Sequence, residues 1–142
     1  MVSDGLIKRF SYIIAANDFK TAGKSSSEIK GNLKAIGIDA RIIRKIAIIS
    51  YEAEINIVIH SLGGNLYCDL YEDKIVIISE DIGPGIPDID LAMTEGYSTA
   101  SEDVRELGFG AGMGLPNMKR YSDEFEIESC EKGTVIKITI YI

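Results

Sequence analysis

The stretch Tyr51-Glu52-Ala53-Glu54-Ile55-Asn56-Ile57-Val58-Ile59-His60 decides the fold. It closes a run from Ala40 to about Ser61 without Gly or Pro, so a long helix is expected, with Asp39 as its N-cap and Gly63-Gly64 as its stop. Glu52, Asn56 and His60 stand at i, i+4 and i+8 and form one stripe on that helix. Their neighbours Ile48, Ile49, Ile55, Ile57, Val58 and Ile59 are apolar. A carboxylate and a carboxamide on such a helix need partners or water, since unpaired burial costs roughly 1–3 kcal/mol per group. A solvated helix face meets that need. So does a ligand site in which the stripe offers an acceptor, a metal-coordinating carbonyl and an imidazole facing phosphate.

On the N-terminal side, residues 6–15 put Phe10, Tyr12 and Ile14 on one face by strict alternation, as an opening strand does. Asn17 or Asp18 is expected to cap a first helix running to about Ile36, stopped by Gly37. On the C-terminal side, Leu66, Cys68 and Leu70 alternate with polar and aromatic residues, Glu72-Asp73 turns the chain, and Ile75-Val76-Ile77-Ile78 reads as a buried strand. Asp81–Pro87 breaks regular structure, and a short helix is expected over Asp88–Met93. Residues 94–114 are glycine-rich and aperiodic, which inside a compact domain marks a functional loop or lid. Leu115–Tyr121 reads as a helix with Pro116 in its first turn. Glu124–Ser129 and Thr134–Ile142 then form a hairpin around Glu131-Lys132-Gly133, with Ile136, Ile138, Ile140 and Ile142 on one face. The order implies an α/β two-layer sandwich, a mixed β-sheet with helices on one face.

The 142 residues fit a single domain, 1–142, with a proper core. A net charge of −7 argues against phosphate-backbone binding, so no nucleic-acid partner is expected. No run approaches the roughly 18 apolar residues of a membrane span, and the protein is read as cytoplasmic, with no membrane partner. Cys68 and Cys130, 62 positions apart, lack metal spacing and read as small core or sheet residues.

Two further features sit where structure alone would prefer other residues. Asp81-Ile82-Gly83-Pro84-Gly85-Ile86 follows the buried strand; Gly83 and Gly85 let the chain turn and leave room for a ligand, and Asp81 is an acceptor at the edge of the core. An ordinary Asp-started turn reads the same way. Gly108-Phe109-Gly110-Ala111-Gly112-Met113-Gly114-Leu115 enters a helix, where free N–H groups and the helix dipole favour an anion. It is neither a Walker A loop nor a dinucleotide fingerprint, for no Gly-Lys-Ser/Thr follows and no strand immediately precedes it.

In this order, Glu-x-x-x-Asn on a helix, Asp-x-Gly-x-Gly after a strand, a glycine-rich segment into a helix, and Gly133-Thr134 opening a strand resemble the GHKL ATP-binding superfamily with its Bergerat fold. The residues 51–60 and 81–86 are similar to the small anti-sigma-factor serine kinases. Ala92–Thr99 and Gly108–Leu115 are most similar to the stress-signalling switch kinase branch.

The resemblance implies ATP and Mg²⁺ as cofactors. Glu52 would be the general base toward a partner's serine hydroxyl, and Asn56 would coordinate the Mg²⁺ that bridges the phosphates. Asp81 would accept from the adenine amine, supported by Thr134, with Gly83, Gly85 and Ile86 bounding the adenine site. Gly108, Gly110, Gly112 and Gly114 would form the lid and its phosphate-binding hinge. Arg105, the only Lys or Arg between Lys74 and Lys119, is the candidate for the γ-phosphate, and His60 is a second phosphate-facing candidate; an exposed loop Arg and a locally bonded helix-end His are the alternatives. On its length, a complete sensor histidine kinase, a gyrase or a chaperone ATPase is not expected. The expected function is a serine/threonine protein kinase that phosphorylates an antagonist-type, STAS-like partner in a partner-switching pathway. The alternatives are an anti-sigma factor that sequesters a sigma factor and a non-catalytic ATP-sensing adaptor. A downstream phosphatase and a homodimer stay open as further partners.

Overall fold

The computed structural model describes residues 5–86, 88–94 and 114–142. Its elements are β1 (Leu6–Ile14), α1 (Lys24–Ile36), α2 (Ala40–His60), β2 (Gly64–Tyr71), β3 (Lys74–Asp81), α3 (Ile89–Ala92), α4 (Gly114–Tyr121), β4 (Glu124–Cys130) and β5 (Gly133–Tyr141). Five strands form one sheet in the order β1-β2-β3-β5-β4. The sheet was expected to be mixed; among the described residues every strand pair is antiparallel. Two connections decide it: β5, the return strand of the β4–β5 hairpin, enters between β3 and β4 and runs against both, and β1 is joined to β2 through a helix pair. The pair stands in place of the single crossover helix that parallel strands need, so β2 returns against β1.

The helices cover one face, as expected. Ile29 and Leu33 of α1, Ile46, Ile49, Ala53 and Ile57 of α2, and Met118 of α4 are fully buried against Leu66, Cys68, Ile75, Ile77, Ile138 and Ile140 of the sheet. Phe10, Tyr12 and Ile14 pack on this core from the edge strand β1, and Ile136, Ile138 and Ile140 share its face. Ile142, placed with them by periodicity, lies past the end of β5 and is 44% exposed. On the opposite face Asp69, almost wholly buried, takes Arg9 Nε at 2.7 Å and Arg9 Nη2 at 2.8 Å.

Asp39 caps α2 through the Arg41 N–H at 2.8 Å, and Asp88 caps α3 through the Leu91 N–H at 3.0 Å. The start of α1 differs from the sequence expectation. Asn17 is left-handed with φ 60°, its N–H bonds the Val58 carbonyl at 2.8 Å, and Asp18 binds the Thr21 N–H and hydroxyl within a turn. The helix begins only at Lys24, after Gly23, and has no cap from its own segment. Glu54 of α2 supplies it: Oε2 accepts from Gly23 N at 3.0 Å and Ser25 N at 3.4 Å, and Oε1 from Ser26 N at 3.0 Å. A non-local carboxylate removes the need for a local capping residue.

Candidate functional site

The C-terminal half of α2 forms one wall of the site. Glu52 and Asn56 are half-buried, one helical turn apart. Gly114, at the start of α4, stands over both: a Cβ built there would lie 3.2 Å from Glu52 Oε2 and 3.3 Å from Asn56 Oδ1. The structure therefore brings Glu52, Asn56 and Gly114 together at a helix N-terminus. Burial pushes the Glu52 carboxyl above its ordinary pKa. His60 ends α2, about 12 Å along the axis from Glu52 at 1.5 Å per residue.

The second wall is the end of β3 and the loop after it. Asp81, the last residue of β3, accepts the Thr134 N–H through Oδ1 at 2.9 Å. Its half-buried carboxyl is pushed above the ordinary carboxylate pKa by burial, with the Thr134 N–H opposing the shift. The Thr134 hydroxyl, in turn, lies 2.8 Å from the Ser129 hydroxyl, whose oxygen accepts the Ile86 N–H at 2.6 Å. Asp81, Thr134, Ser129 and Ile86 thus form one hydrogen-bonded chain. The loop is also seated on the end of α2, through Leu62 N to Ile82 O at 2.7 Å and Ile82 N to Gly63 O at 2.9 Å.

Two glycines here are required by the protein's own backbone. Gly85 has φ 79°, and a Cβ on it would fall 2.0 Å from the Cys130 carbonyl oxygen; Gly133 has φ 155°, and its Cβ would fall 2.0 Å from the Asp81 carbonyl oxygen. The loop 81–86 and the β4–β5 hairpin are therefore in direct backbone contact. Gly83 differs. A Cβ there would meet only ordinary contacts, the nearest being the Ser61 Cα at 3.4 Å. Arg105, Gly108, Gly110 and Gly112 lie outside the described residues.

Sequence reasoning missed two residues. Ser129 occupies the inward phase of β4, the phase of Phe125 and Ile127, and a polar residue in an apolar register was the available signal. Glu54 occupies the buried phase of α2 beside Ala53 and Ile57, the same kind of signal on a helix.

The donor set can be tested for its fit to a nucleotide. Among the described residues Asp81 Oδ2 has no hydrogen-bond partner, which suits it to an exocyclic amine. No cluster of three or more His, Cys, Asp or Glu side chains suited to a metal ion occurs among the described residues; the Asn56 carbonyl is a hard oxygen of the kind that Mg²⁺ takes.

An α/β two-layer module with a polar site built along one helix and across the end of its sheet is the class of protein that the geometry defines. The chain belongs to the histidine kinase-, DNA gyrase B- and HSP90-like ATPase family, whose model matches residues 40–142. It is similar to the serine/threonine-protein kinase RsbT of Bacillus subtilis (strain 168), 47% identical over 62 residues, which are 43% of this chain and 41% of that protein. It is similar to the anti-sigma F factor of Clostridium novyi (strain NT), 37% identical over 88 residues, 58% of each chain. The chain spans roughly two fifths to three fifths of the length of these two relatives. In fold it resembles a chain of the SiaB-SiaC complex from Pseudomonas aeruginosa, with a TM-score of 0.59 and 12% identity, covering 96% of this chain and 90% of that one. Among the described residues no helix is long and apolar enough to cross a membrane.

Proposed function

We propose that the chain is an ATP- and Mg²⁺-dependent serine/threonine protein kinase, a single domain over residues 1–142. Its substrate would be an antagonist-type, STAS-like protein in a cytoplasmic partner-switching pathway. The observation that carries the reading is the juxtaposition of the half-buried Glu52 carboxylate with Asn56 beneath the N-terminus of α4. A carboxylate whose pKa is raised by burial is a better proton acceptor than an exposed one, as a general base requires. An ATP-sensing adaptor has no use for such a base.

When bound, Mg²⁺-ATP supplies the phosphoryl group and neutralises its charge. The chain's own residues do the rest. Asp81 Oδ2 would accept from the adenine amine; Oδ1 is held in register by the Thr134 N–H, and Ser129 fixes Thr134 and Ile86 in turn. Asn56 would offer its carbonyl to the cation, and Glu52 would take the proton of the acceptor hydroxyl. Arg105 and His60 are proposed to contact the phosphates, and the glycines 108, 110, 112 and 114 to form the lid and its phosphate-binding hinge.

The test is transfer of label from γ-labelled ATP to STAS-like proteins encoded beside this gene. Glu52→Gln should still bind ATP and lose about two to four orders of magnitude in transfer. Transfer at the normal rate by Glu52→Gln overturns the mechanism. The likeness to a protein named anti-sigma F factor supports a second reading, sequestration of a sigma factor. Tight binding of a sigma factor, with no acceptor ever labelled, would favour it.

A further inference from the structure

The chain is acidic as a whole, yet its charge is unevenly placed. Seven of the fifteen Lys and Arg fall between residues 20 and 45, against two of the twenty-two Asp and Glu. The segment builds α1 and the first turns of α2, and six of its seven cations are exposed, Lys45 being half-buried. Of its two acids, Asp39 is the cap of α2 and pairs with Arg41, and Glu28 lies on the flank of α1 near Tyr12.

Between α1 and α2 runs a cleft of about 430 Å³. Ser26, Ser27 and Lys30 line it from α1, and Ile48, Tyr51 and Glu52 from α2. Helical periodicity extends both walls away from Glu52. Ser26, Lys30 and Lys34 stand at i, i+4 and i+8, and Arg44, Ile48 and Tyr51 at i, i+4 and i+7, so Lys34 and Arg44 continue the cleft as a basic track. Glu52 closes its other end. The same carboxylate touches the Gly114 side through Oε2, so it stands between α4 and the cleft.

We propose that this cleft receives the acceptor segment of the protein substrate, an acidic serine-bearing loop whose hydroxyl reaches Glu52 while its carboxylates lie along Lys30, Lys34 and Arg44. The inference rests on the kinase reading above and adds to it the approach route and the chemistry of the substrate. An acceptor entering through the cleft meets Glu52 from the side away from α4, leaving the α4 side to the nucleotide. Glu52 and Arg44 are eight residues apart, about 12 Å along α2, which an extended chain spans in about three to four residues. Carboxylates are therefore expected about three to four residues from the serine. An anionic lipid surface fits less well, because a cleft ending in a carboxylate repels phosphate headgroups and admits a hydroxyl donor.

Fluorescence anisotropy of a labelled dodecapeptide, one central Ser with Glu three and four residues to either side, tests this on the full chain. The comparison peptide has Gln for each Glu. The acidic peptide should bind roughly tenfold more tightly than its Gln counterpart, most clearly at low salt. The double charge reversal Lys30→Glu with Arg44→Glu should abolish that preference, Lys30→Gln with Arg44→Gln should reduce it, and Lys137→Glu, on the uncovered sheet face, should leave it intact. Circular dichroism confirms folding of each variant. Equal binding of the two peptides, or equal loss in Lys137→Glu, overturns the proposal. So does binding of phosphatidylserine vesicles that only the double reversal removes, without peptide discrimination. ATP affinity and label transfer on the unaltered chain are read separately: a chain that transfers phosphate but ignores peptide charge refutes the cleft alone, and one that prefers the acidic peptide without binding ATP refutes the kinase reading alone.

Discussion

Glu54→Ala should destabilise the protein by about 3 kcal/mol, a large share of the roughly 5–15 kcal/mol that holds a domain of this kind together. The side chain is 2% exposed and accepts two N–H groups at 3.0 Å and a third at 3.4 Å. Hydrogen bonds to a charged acceptor contribute about 1.5–3 kcal/mol each. Counting the two short bonds near the lower figure and giving the long one little weight yields about 3 kcal/mol. The relief of desolvating one carboxylate fewer offsets part of any larger sum. Glu54→Gln keeps the volume and one acceptor but turns an NH₂ toward backbone donors, so it should cost about 2 kcal/mol rather than nothing. Urea unfolding followed by circular dichroism measures both, with an unchanged m-value showing that only stability has moved. A loss below about 0.5 kcal/mol for Glu54→Ala would refute the assignment of Glu54 as the cap of α1.

Gly85→Ala should destabilise strongly, for its φ is 79° and its Cβ would meet backbone at 2.0 Å, whereas Gly83→Ala should unfold at the wild-type urea concentration yet bind ATP more weakly in calorimetric titration, and unchanged affinity removes Gly83 from the adenine site. Asp81→Asn should weaken ATP binding by roughly 1–3 kcal/mol in calorimetric titration, because an acceptor-only group gains a donor face; unchanged affinity removes Asp81 from the adenine site. Native protein should show one fast thiol toward an alkylating reagent, Cys130, and a second only on unfolding, since burial pushes the Cys68 thiol up to about 12. Transfer should fall as pH drops through the Glu52 pKa, and burial raises that pKa, so the acid limb should lie above the ordinary carboxylate range. The stability sign runs the other way: the carboxyl contributes most below its unfolded pKa, and that share is lost as pH rises through the folded one. An acid limb at ordinary carboxylate pH would count against Glu52 as the base.

What the sequence revealed and what it hid divide along one physical line. Residues whose partners lie within a helical turn or one strand were legible. The period of three to four exposes the stripe of Glu52 and Asn56, the alternation of Ile136, Ile138 and Ile140 exposes β5, and Asp39 caps the helix it precedes. Residues defined by a distant partner were not. The start of α1 was placed at Asn17 or Asp18 because a cap was sought in the preceding residues, while the true acceptor is 28 to 31 positions away on α2. Ser129 stands out in the sequence only as a polar residue in an apolar register, and what it holds is hidden until the loop 81–86, 43 positions distant, is folded against it. The antiparallel sense of the sheet was hidden for the same reason, being set by where β5 enters the sheet and by how two helices stack before the chain returns.

These hidden contacts hold the legible residues in place. Glu52 and Glu54 differ by about 200° of rotation on α2, so one carboxylate faces Gly114 and the cleft while the other is buried in the capping turn of α1. The helix that carries the proposed base is thereby tied to the helix that forms the other wall of the cleft. At the far end, Gly85 and Gly133 allow backbone to meet backbone, and the chain Asp81, Thr134, Ser129 and Ile86 turns that contact into a fixed position for one carboxylate. A nucleotide bound at Asp81 and an acceptor bound in the α1–α2 cleft would then meet at Glu52 with both their supports anchored to α2. The consequence is measurable: Glu54→Gln, which loosens the α1 wall and leaves the Asp81 end untouched, should raise the KM for the protein substrate more than the KM for ATP. Equal changes in both would show that the two ends are not separately held.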